Sequence, residues 1–116
     1  MDESEHPRPT NFDQYQIDAA RTLNRSLSQN ERLLDAAAGL AEEAGEVLAL
    51  VRKHIFQQHP LDRAQLRAEL GDALWCLAAI ATTQEISLGD VAQHNLAKLR
   101  DRHPRGFPPN AEPPGR

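Results

Sequence analysis

The stretch Gly39-Leu40-Ala41-Glu42-Glu43-Ala44-Gly45-Glu46-Val47, answered further on by Glu69-Leu70-Gly71-Asp72, decides how this chain is read. Each half holds a pair of acids three residues apart inside a run with helical apolar spacing, and acids at i and i+3 share one helix face. Two such pairs on adjacent antiparallel helices bring Glu43, Glu46, Glu69 and Asp72 together. Carboxylates at that range repel one another, and no basic residue is interleaved with them. A divalent cation cancels the repulsion, and an oxygen-only ligand set favours magnesium, with manganese as a substitute, over zinc.

Working outward, the second helix is expected from about Gln29 to Ile55, opened by the capping-box pattern Ser28-x-x-Glu31. Leu33, Ala37, Leu40, Ala44, Val47 and Val51 form its apolar stripe. Glu43 falls about 60° from Leu40 and Glu46 about 120° on the same side, with Glu42 pointing away. Gly39 and Gly45 inside a helix suggest a close neighbour. Asp62 caps a third helix running to Thr83, with Leu66, Leu70, Ala73, Leu74, Leu77 and Ala81 as its stripe. From Ala73 to Ala81 it is apolar on every face, which calls for cover on both sides. A second subunit is the expected cover, so the chain reads as a homodimer or homotetramer.

A first helix is expected from Thr10 or Asn11 to about Leu23, and a fourth from Ser87 to about Arg102. The domain is then a four-helix, bundle-like, all-α unit over residues 11–103. A flexible lead-in (1–10) precedes it and a Pro-rich tail (104–116) follows.

Composition agrees with this architecture. With 116 residues and 4% aromatics, packing falls to Leu and Ala, which suits helices. A net charge of −4 argues against a nucleic-acid coat. Cys76, the single cysteine, excludes an internal disulfide. No signal peptide is visible and the longest apolar run is too short for a bilayer, so no membrane association is expected and the cytoplasm is the default.

A lone Glu-x-x-Glu is most simply a solvated helix face; the second pair beside an equally apolar stripe favours a metal centre. A di-iron bundle wants a Glu-x-x-His pair on each of two helices, and the single such spacing here, Glu3-x-x-His6, falls in the expected lead-in rather than on a helix. GLAEEAGEV followed by ELGDALW resembles the Glu-x-x-Glu…Glu-x-x-Asp signature of the MazG-like, all-α nucleoside triphosphate pyrophosphohydrolases. Asn95-x-x-Lys98 with Arg102-His103-Pro104-Arg105-Gly106-Phe107 is similar to that family's downstream segment, although such proteins often carry Tyr at the position of His103. Tyr15-Gln16 and Lys53-His54-Ile55-Phe56-Gln57 also look like small single-domain members. The resemblance spans roughly residues 11–107.

What it implies is Mg2+-dependent hydrolysis of a (deoxy)nucleoside triphosphate to the monophosphate and pyrophosphate, as house-cleaning of surplus or modified nucleotides. A phosphoribosyl-ATP pyrophosphatase or dUTPase-like activity is the alternative within the superfamily. A non-catalytic helical oligomer that binds nucleotide or metal is the alternative outside it. Glu43, Glu46, Glu69 and Asp72 are the expected metal ligands, with Glu42 as general base or supporting group. Asn95, Lys98 and Arg102 are expected on phosphate oxygens, or else solvating a helix end. Trp75 is a candidate for stacking on a nucleobase, although a Trp in an apolar run more often packs. Lys53 reaches phosphate or serves as a helix C-terminal charge.

Overall fold

The structure is a computed structural model and describes residues 10–106. Four helices make up the fold: α1 (Phe12–Ala19), α2 (Gln29–Phe56), α3 (Arg63–Thr83) and α4 (Leu88–Arg102). The described residues contain no strand, only an isolated bridge between Pro104 and Gly106. The caps read from sequence are in place. The Asn11 side chain accepts from Gln14 N, Asp62 from Gln65 N and Ser87 from Asp90 N. Ser28 and Glu31 bond reciprocally, as a capping box requires. The first helix is shorter than its apolar spacing suggests. It tightens after Ala19 into a 3-10 turn over Ala20–Thr22, because Leu23 leaves in extended conformation.

The α2–α3 hairpin is the backbone of the fold. The two helices run antiparallel: the Gln29 amide donates to Thr83 O near one end, and Gly39 meets Cys76 further along. A Cβ at Gly39 would lie 3.0 Å from Cys76 Sγ, so the close neighbour expected at this glycine is a side chain of the facing helix. Gly45 meets nothing within 4 Å and has no such role in the single chain.

The inward face of α2 is rotated from the stripe the sequence suggests. Ala36 is buried and Leu33, Leu40, Glu43, Val47 and Leu50 are half-buried, whereas Ala37 and Ala44 are exposed. On α3 the inward row is Leu66, Glu69, Ala73, Cys76 and Ile80, while Leu70 and Leu77 of the expected stripe are exposed. Each helix therefore carries a glutamate within its packing face, a placement that hydrophobicity counting disfavours.

Most of the cover over the all-apolar run of α3 comes from within the chain. Ala78 and Ala79 are buried beneath α1 and its turn, where Ala19, Ala20 and Leu23 pack around Trp75. Buried residues in this core are small (Ala36, Cys76, Ala78, Ala79, Ala81), which lets the helices approach closely. No helix among the described residues is long and apolar enough to cross a membrane.

Polar contacts pin α1 to the start of α4. Asp13 Oδ1 accepts from Ser87 Oγ (2.7 Å) and Gly89 N (3.0 Å), and these bonds hold its carboxyl below the usual carboxylate range. Gln16 Oε1 accepts from Leu88 N (2.7 Å), and its Nε2 donates to Ile86 O (2.9 Å) and Thr82 Oγ1 (3.2 Å). One side chain thus satisfies an orphan donor of α4 and a carbonyl of the preceding loop. Replacing Gln16 with Ala is expected to lower stability by about 1–3 kcal/mol in urea unfolding. Arg21→Ala, which removes only a long surface contact to Asp18 (3.9 Å), is expected to change it by less than about 0.5 kcal/mol.

Candidate metal centre

Glu43 on α2 faces Glu69 and Asp72 on α3, and one carboxylate oxygen from each lies within 4.8 Å of the other two. Helical geometry explains the convergence. Glu43 and Glu69 occupy the inward rows, so antiparallel packing sets them opposite each other, and Asp72 follows Glu69 by one turn. Glu46, one turn after Glu43, is exposed but its carboxyl meets that of Glu69. All four acids singled out in the sequence therefore meet along one seam.

Their electrostatics are those of a site lacking a counter-charge. Glu43 Oε2 and Glu69 Oε2 are buried with no hydrogen-bond donor within reach. Ionised carboxylates only accept, so they bond one another only where one keeps a proton. Glu69 is the group that keeps it. Its pKa is pushed up to about 8, first by hydrogen bonding to Glu43 and then to Glu46, then by burial and by the charge of both. Buried acceptor oxygens without donors, converging from two helices, fit a hard cation.

The surroundings contain groups the sequence did not mark. The Cys76 thiol lies beneath the seam. Burial pushes it up, and the acids Glu43, Asp72, Asp35 and Glu42 add to the effect. Glu42 is exposed, as its helical angle implies, and its charge adds slightly to the rise at Cys76. The Tyr15 phenol on α1 is pushed up by burial and then by Asp72 and Cys76, so α1 brings an aromatic hydroxyl to the edge of the site. In sequence Tyr15 stood out only through the Tyr15-Gln16 resemblance, which carried no sign of this contact.

The other expected site residues lie elsewhere. Trp75 is half-buried with its indole N–H on Thr22 Oγ1 (2.7 Å). It lines the contact of α3 with Ala19, Ala20 and Leu23, so packing accounts for at least part of its surface. Lys53 is exposed in the last turn of α2. Asn95, Lys98 and Arg102 are exposed on α4, which packs on α1 and α3 and makes no contact with α2. Within one chain α4 does not close over the acids. The lead-in through residue 9 and the tail from residue 107 lie outside the described residues.

The raised Glu69 carboxyl sets a pH dependence. With no divalent ion present, folded Glu69 holds a proton that the unfolded chain releases near the ordinary value of 4.5. Its stabilising contribution is fully present below 4.5 and is lost as pH rises through about 8. In chelator, the melting temperature of the parent protein is expected to fall across that window. Glu69→Gln, which cannot ionise, should flatten the fall and melt above the parent at its upper end.

The model of the MazG nucleotide pyrophosphohydrolase domain matches residues 31–107, which include all four acids, Glu42 and α4. A relative described as "Gene 37 protein" of Mycobacterium phage L5 is 38% identical over 80 residues, covering 66% of this chain and 70% of its own length. No solved structure matches the chain. On the family match over most of its length, and with the signature acids assembled between two helices, the chain belongs to the MazG nucleotide pyrophosphohydrolase family.

Proposed function

We propose that the chain is a Mg2+-dependent pyrophosphohydrolase that converts a (deoxy)nucleoside triphosphate and water to the monophosphate and pyrophosphate. The observation carrying this reading is the pair of buried, donor-less oxygens on Glu43 and Glu69 beside Asp72, in a chain of this family. Glu43, Glu46, Glu69 and Asp72 would hold the metal; Mg2+ suits their hard oxygens, and Mn2+ would substitute. When bound, the ion supplies charge neutralisation for the phosphate oxygens and a lowered pKa for water.

The chain's own groups do the rest. The exposed Glu42 carboxylate takes the proton of a water whose oxygen bonds to the α-phosphorus, as the bond from that phosphorus to the α,β-bridging oxygen breaks and pyrophosphate leaves. The substrates proposed are surplus or modified nucleotides, and the compartment is the cytoplasm.

The assembly proposed is a homo-oligomer, at least a dimer. Leu48 and Ile55 on α2 and Leu70 and Leu77 on α3 stand one heptad apart on their helices and are 45–59% exposed. A second copy of the α2–α3 pair would cover them. Assembly would also bring the Asn95, Lys98 and Arg102 face of α4, and Lys53, to the phosphates of a neighbouring site.

Four experiments check these readings. A panel of nucleoside triphosphates should release pyrophosphate with Mg2+ and none in chelator. Glu46→Ala and Asp72→Ala should abolish release while circular dichroism stays helical, and full activity in either would remove the site assignment. Glu42→Gln should lower turnover by about 10²–10⁴-fold with Mg2+ affinity unchanged, as expected of a base; unchanged turnover would return Glu42 to the surface. Leu48→Asp combined with Leu77→Asp should shift the light-scattering mass to that of one chain, and an unaltered mass would refute the apolar seam as the interface.

A further inference from the structure

Beyond the acid seam, the end of the hairpin where α2 begins and α3 finishes holds a second polar feature. A cleft of about 230 Å³ there is lined by Arg25, Gln29, Arg32, Thr82, Thr83 and Glu85, with Leu23 at its side. Arg32 is half-buried and spends Nη1 on Leu27 O (2.9 Å), while Arg25 reaches Ala20 O through Nη2 at 3.5 Å. Neither guanidinium has a carboxylate within ion-pair distance among the described residues, although Glu85 shares the cleft and Asp35 lies one turn along from Arg32. Gln29 is committed to Thr83 O, and Ser28 and Glu31 already cap the start of α2. A partly desolvated Arg normally has an anionic partner. Here the half-buried Arg32 and the exposed Arg25 line one small cleft with most of their N–H groups unspent.

We propose that this cleft is an anion site, separate from the acid seam, that takes a phosphoryl group between the Arg25 and Arg32 guanidiniums. Planar forks match phosphate oxygens bidentately, and two of them neutralise a dianion. The volume lies below the roughly 300–1,000 Å³ of pockets that enclose a whole organic ligand, so the group bound is a phosphoryl or pyrophosphoryl moiety rather than an entire nucleotide. From Arg32 to Glu43 the helix rises about 16 Å, too far for one phosphate to touch both sites. The phosphoryl group comes either from the free ion or from the phosphate end of a nucleotide.

The test uses the full chain in chelator, so that no metal draws phosphate to the acids. Inorganic phosphate, pyrophosphate and adenosine monophosphate are titrated by calorimetry and followed by phosphorus NMR. Saturable binding of one phosphate or pyrophosphate per chain is expected, weakened about tenfold or more by Arg25→Leu and by Arg32→Leu. Arg32→Lys, which keeps the charge but not the fork, should fall between, and Asp72→Asn should bind as the parent does. Arg25 is exposed, so its variant guards against a folding defect. Competition by the monophosphate would assign the site to nucleotide-borne phosphate, and its failure to compete would assign it to the free ion. Absence of saturable binding, unchanged affinity in Arg25→Leu, or loss in Asp72→Asn would overturn the proposal. The outcome does not depend on whether pyrophosphate is ever released from a triphosphate.

Discussion

Like charges forced together between two packed helices are the constraint on which this structure turns. Glu43 and Glu69 lie in rows that otherwise hold Leu, Ile, Val, Ala and Cys, so pairing α2 with α3 necessarily drives them at each other. Without a cation the molecule answers by keeping a proton on Glu69. With one, the same geometry becomes a ligand set. A proton and a cation would compete for the same oxygens, and a cation bound there would favour the folded hairpin.

The remaining elements follow from that pairing. α1 lies across α3, covers Trp75 and presents Tyr15 toward Asp72. Asp13 and Gln16 tie α1 to the start of α4, so the helix that touches the site and the helix that carries Lys98 and Arg102 are joined by side-chain bonds at one corner. A displacement of α1 would be felt at both.

Much of this was legible from residues alone. The caps at Asn11, Ser28, Asp62 and Ser87 were readable because each depends on local chemistry, and the acid pairs because i and i+3 spacing survives folding. The rotation of the α2 stripe from Ala37 and Ala44 to Ala36 was not. Ala is apolar enough to fit either face, and which face turns inward is decided by the partner helix. Trp75 shows the same limit: its indole N–H goes to Thr22, distant in sequence, a partner that only the fold reveals. The Arg25 and Arg32 cleft was invisible for a related reason, since one residue sits in a linker and the other in a helix, and only the fold places them together.

The contact of Gly39 with Cys76 has a consequence for how such a site can change. At 3.0 Å from where a methyl group would begin, that sulfur acts as a shim setting the gap between the helices about one turn from Glu43 and Asp72. The bite of the carboxylates is therefore adjustable from behind. A bulkier atom at either position would spread the carboxylates of the proposed metal site, so its preference among cations of different radius would change through two residues outside the proposed ligand set.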